Sequence, residues 1–70
     1  MFKSIAEAET FILNSRKRET FAGTDDKTID CIIAEASKPF AIFYDSKNRI
    51  NVMNHASAKL FRSYRIVKVV

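Results

Sequence analysis

One glycine, Gly23, and one proline, Pro39, are the only strong breakers of regular structure in this chain. Every other break must come from turn chemistry, so the chain reads as mostly helix and strand with tight connections. Pro39 also divides two kinds of pattern. Before it, apolar residues recur at helical spacing; just after it, aromatic and β-branched residues crowd into short runs.

The first helix starts at a capping box, Ser4-Ile5-Ala6-Glu7. The Ser4 hydroxyl can accept from the Glu7 amide, and the Glu7 carboxylate can reach back to the Ser4 amide. At about 100° per residue, Ile5, Ala8 and Ile12 share one side, with Phe11 and Leu13 on its flanks. Continued further, the helix would bring Arg16 onto that apolar side, so it should end between Ser15 and Lys17. The second helix starts between Thr24 and Asp26 and stops before Pro39. Asp25 and Asp26 are adjacent and point in different directions, which makes them caps at the positive end of a dipole and not a catalytic dyad. Ile29, Ile32, Ile33 and Ala36 form its apolar stripe.

The stretch "PFAIFYDSKNRINVMN" reads as a β-hairpin with strands over 40–45 and 50–54. Asp45-Ser46-Lys47-Asn48 supplies the turn: Asp45 can bond its backbone, and Asn48 tolerates the left-handed conformation. A third helix, capped by Asn54 or His55, should run to about Ser63 with Ala56, Leu60, Phe61 and Tyr64 on one side. "RIVKVV" is the last strand. The fold class is therefore α+β: one domain over 1–70, a three-stranded, mainly antiparallel sheet with packed helices, in the order α-α-β-β-α-β.

Both sides of the first strand are apolar, Phe40, Ile42 and Tyr44 on one and Ala41 and Phe43 on the other. Strict alternation in the last strand places Val67 and Val69 on one face and Ile66, Lys68 and Val70 on the other. A half-exposed sheet alternates more cleanly, so the second face should also be covered. A helix of the chain itself, a second copy or a foreign partner would serve.

Seventy residues bury only about 60% of the unfolded surface, so stability should be modest. One cysteine, Cys31, excludes an internal disulfide, and with one histidine, His55, a closed zinc site is not expected. The chain then rests on apolar packing, with or without self-association as a homodimer. Cys31 lies away from the second helix's stripe and reads as a small hydrophobe; a thiol activated by Lys27 and Lys38 is the alternative. No cofactor motif is found. A lone thiol, a start ("MFKSIAEAET") without an apolar leader core and no membrane-length run lead to the expectation of a cytoplasmic protein.

The net charge of +4 favours anionic partners. Two basic features carry that expectation. Arg16-Lys17-Arg18 is the only three-residue basic run. Three consecutive residues fan over about 200° of a helix, so the run is either a charged C-terminal turn or a loop that reaches a partner. His55, Lys59 and Arg62 are spaced i, i+4, i+7, followed by Arg65, and would share one side of the third helix. No helix-turn-helix signature, RNA-binding sheet motif or glycine-rich phosphate loop accompanies them. One Cys, one His and one Gly leave few ways to assemble an active site. The expectation is a non-enzymatic regulator or inhibitor that docks on an acidic protein, of a size that suits a phage or other mobile element. Binding to nucleic-acid phosphates is the alternative.

Overall fold

The computed structural model describes residues 2–70. The α+β order α-α-β-β-α-β is observed: α1 (Ile5–Asn14), a 3₁₀ turn (Arg18–Phe21), α2 (Asp26–Ala36), β1 (Phe40–Tyr44), β2 (Ile50–Asn54), α3 (His55–Ala58) and β3 (Arg65–Val69). The sheet is antiparallel throughout, in the order β2-β1-β3.

Ser4 caps α1 by accepting from the Glu7 amide at 3.1 Å. The returning Glu7 carboxylate accepts from the Lys3 amide at 3.1 Å, one residue earlier than a capping box requires. The cause lies just upstream: the Phe2 amide bonds the Ile50 carbonyl, drawing the entering chain alongside β2. Ala8 and Ile12 are fully buried against Ile42, with Ile5, Phe40, Ile50, Val52 and Val70 packed around them. Burying Ile12 and Ile42 contributes about 2 kcal/mol each.

β2 and β3 both run antiparallel to β1 and hence parallel to each other. The chain between them must return along the sheet, and α1 already occupies one face. Residues 55–64 therefore cross the other. Ala58 is buried there with Ala41 and Phe43. The Tyr64 ring stacks on Phe43 at 4.4 Å and on Phe61 at 4.7 Å. Over β1 the second face is thus covered by the chain itself, while Val69, beside Ala41 on the same face, is 46% exposed.

Two local expectations are corrected. The third helix stops at Ala58, not near Ser63. Beyond it the bonding tightens to i−3 partners, with the Leu60 amide on Ser57 and the Phe61 amide on Ala58. This tighter path leads Tyr64 onto the Phe43 ring and Phe61 onto that of Tyr64. Leu60, expected on the packed side, is 80% exposed. In β3, Ala41 pairs Val69 and Ile42 pairs Lys68, but Phe43 pairs Ile66. Val67 is the extra residue of a β-bulge. After the bulge the expected alternation holds, with Lys68 and Val70 opposite Val69; before it the faces exchange, so that Ile66 joins Val69 on the face of Phe43 and Ala41, and Arg65 joins Lys68 on that of Tyr44 and Ile42. Accordingly Lys68 bonds Glu9 of α1 at 2.9 Å.

The hairpin turn follows its sequence. Asn48 is left-handed, with φ of 60°. The Asp45 carboxylate, largely buried, accepts from the Lys47 and Arg49 amides at 2.9 Å, from Arg49 Nε at 2.8 Å and from Asn51 Nδ2 at 3.0 Å. The Arg49 amide leads the causes that hold its carboxyl below the usual range, against the opposing cost of burial.

Candidate functional site: a basic pocket and an apolar groove

The basic run separates on folding. α1 ends at Asn14, and Arg16 turns across the molecule. Its Nε donates to the Ala36 carbonyl at 2.6 Å, and its Nη2 to the carbonyls of Val70 at 2.9 Å and Lys38 at 3.4 Å. α2 has no basic residue of its own in its last turn, so Arg16 supplies the cation that its C-terminus lacks. Arg18 pairs with Asp26 and Asp30 near the other end of α2. Lys17 is exposed. Two of the three cations therefore fasten α2 to the rest of the fold.

Asp25 caps that helix, accepting from the Thr28 amide at 3.0 Å and the Thr28 hydroxyl at 2.7 Å. The hydroxyl and then the amide lower its carboxyl from the usual value.

The second feature is also rearranged. Asn54 ends β2 opposite Phe40, and the His55 amide extends the ladder by one bond, to the Pro39 carbonyl at 2.9 Å. α3 begins there, with Asn54 Oδ1 accepting from the Ala56 amide at 3.0 Å. Lys59, one turn on, returns to the side of His55. With Lys38, Pro39, Asn54 and Ala56 they line an open cavity of about 220 Å³. Arg62 falls in a turn beyond the helix and does not line this cavity; the spacing that would align it with His55 and Lys59 needs a longer helix. Arg65 lies at the opposite end of β1, its guanidinium 5.0 Å from the centre of the Tyr44 ring. The structure thus brings His55 and Lys59 together and adds Lys38. Sequence reasoning placed Lys38 only near the Cys31 thiol and outside both basic features. The signal was Pro39, which drives the residue before it out of the helical region and off the helix axis.

A larger apolar groove of about 510 Å³ lies between α1 and α2, lined mainly by Phe11, Cys31, Ile32, Ala36 and Phe40. Phe11 is half exposed, and Phe2 tilts against its ring at 5.2 Å. Cys31 is exposed at the groove wall, and no helix covers it. Groove and pocket flank one connection: Ala36 and Phe40 belong to the groove, and Lys38 and Pro39, between them in the chain, belong to the pocket.

Among the described residues, no helix is long and apolar enough to cross a membrane, and no three His, Cys, Asp or Glu side chains are grouped to hold a metal ion. In comparisons with known proteins, no family model, no curated protein and no solved structure matches the chain.

Proposed function

We propose that the chain is a non-enzymatic binding protein, a small regulator or inhibitor that docks on an acidic surface of a partner protein. The observation that carries this reading is that the basic pocket and the apolar groove adjoin one connection, residues 36–40, with Lys38 and Pro39 lining the pocket and Ala36 and Phe40 the groove. A partner that carries both an anionic group and an apolar side chain would engage the two by reaching around this connection. Protein interfaces combine an apolar centre with a polar rim in this way. Arg16, Arg18, Arg49 and Lys68 are engaged by the protein's own acceptors, which leaves fewer cations to follow a phosphate backbone.

Nucleic-acid binding is the second reading, favoured by Phe61. The residue is 46% exposed and lies next to Arg62 in the chain, and with one ring face on Tyr64 it could stack a base on the other. The test is a titration against a polyglutamate peptide and a mixed-sequence single-stranded DNA, at low and physiological salt. The variant Lys59→Glu/Arg62→Glu serves as control. Protein docking predicts saturable peptide binding that the double reversal abolishes. DNA binding that is tighter than peptide binding, and that falls linearly with salt on a log–log scale, overturns it in favour of the second reading.

A further inference from the structure

The pocket at Lys38, His55 and Lys59 is too small for an extended ligand. Sites that enclose drug-sized molecules run from about 300 Å³ upward, whereas this one holds about 220 Å³ and is open to solvent. It suits a single compact group whose remainder stays outside. Four of its lining residues, Lys38, Asn54, His55 and Lys59, carry side-chain donors. Lys59 is exposed. Lys38 Nζ bonds Glu35 Oε1 at 3.1 Å and keeps two further N–H groups. Asn54 has committed its oxygen to the Ala56 amide, which leaves its NH₂ to donate. His55 adds a ring N–H. No carboxylate lines the cavity, although Glu35 stands behind Lys38.

Donor and oxygen count select the ligand. Lys38 is already matched in charge by Glu35, but a carboxylate brings only two oxygens and would leave most of the N–H groups of Lys38, Asn54, His55 and Lys59 without an acceptor. A phosphomonoester brings a charge of about −1.5 to −2 and three strong acceptors. A phosphodiester has two free oxygens and a single charge, so a nucleic-acid backbone fits the donor set less well.

We propose that this pocket binds a phosphomonoester, and that its occupant is a phosphorylated side chain in an acidic segment of the partner. The assignment rests on the docking reading above and names the group that the partner presents.

His55 is the only histidine, so its ring proton resonances are a single, isolated reporter. They are followed at constant pH and matched ionic strength while five probes are added in turn: sodium chloride, inorganic phosphate, an acidic phosphoserine peptide, its unphosphorylated twin and a mixed-sequence single-stranded DNA. The expected result is a saturable movement with phosphate and none with chloride. The phosphopeptide should bind at least about tenfold more tightly than its twin, and Lys38→Gln and Lys59→Gln should each weaken it about tenfold. Both lysines are exposed, so the variants should fold. The assignment is overturned if phosphate moves the ring no more than chloride, or if both variants bind unchanged. DNA that binds as tightly as the phosphopeptide overturns the peptide source. A twin that binds as tightly as the phosphopeptide overturns the phosphate and leaves protein docking standing; if neither peptide binds, both readings fall.

Discussion

Arg16 is the residue whose role depends most on the fold. Its guanidinium collects three carbonyls from two distant parts of the chain, residues 36–38 and residue 70. Periodicity alone shows that the helix must stop before Arg16 joins its apolar side. Where the side chain then goes depends on acceptors 20 and 54 residues away, which no local pattern encodes. Arg16→Met should lower stability by about 2 kcal/mol in urea unfolding, because half-buried carbonyls lose a charged donor. Lys17→Met should stay within about 0.5 kcal/mol. Asp45 and Asn48, by contrast, were legible, since their contacts lie within a few residues. The folded Asp45 carboxyl titrates below its ordinary value of 3.8. Such a group adds stability that is complete above the unfolded value and is lost as the pH falls through the folded one. The thermal midpoint should therefore drop as acid is added below about pH 4. Asp45→Asn should lower the midpoint at neutral pH by several degrees and flatten the acid slope.

At the scale of elements, strands β1 and β2 and helices α1 and α2 fall within two or three residues of their sequence readings, because each has a period and a marked end. α3 does not, because its length is decided by what it crosses. A helix to Ser63 satisfies local spacing but does not follow the tightened path that lays Tyr64 on Phe43 and Phe61 on Tyr64. The basic stripe of His55, Lys59 and Arg62 was inferred from that longer helix and dissolves with it. The pocket that replaces it joins residues 38, 55 and 59 through a strand pairing, a relation that helical spacing cannot express. Tyr64→Ala should cost about 3 kcal/mol in urea unfolding, since it opens the ring stack above Phe43. Leu60→Ser, at an 80% exposed position, should change stability by no more than about 0.5 kcal/mol.

Over the whole molecule, the apolar material is divided between two thin layers, with α1 on one face of β1 and residues 55–64 on the other. Fully buried side chains larger than alanine are few, Ile12 and Ile42 foremost, as expected of a chain this short. Polar ties therefore matter more: α2 packs chiefly on the 3₁₀ turn and is held by Arg16 and Arg18. The two flanking strands of the sheet differ. Phe2 bridges to Ile50 beside β2, whereas β3 carries the bulge at Val67 and the charged side chains of Arg65 and Lys68. An unpaired strand margin is a template on which like chains can add, and an irregularity flanked by cations spoils it. The kink at Val67 should therefore oppose fibrillar growth. Removing Val67 would keep every existing strand pairing while straightening the ladder. The shortened chain should fold, yet scatter more light and bind more thioflavin as its concentration rises, and a product that stays dispersed would show that the cations suffice alone.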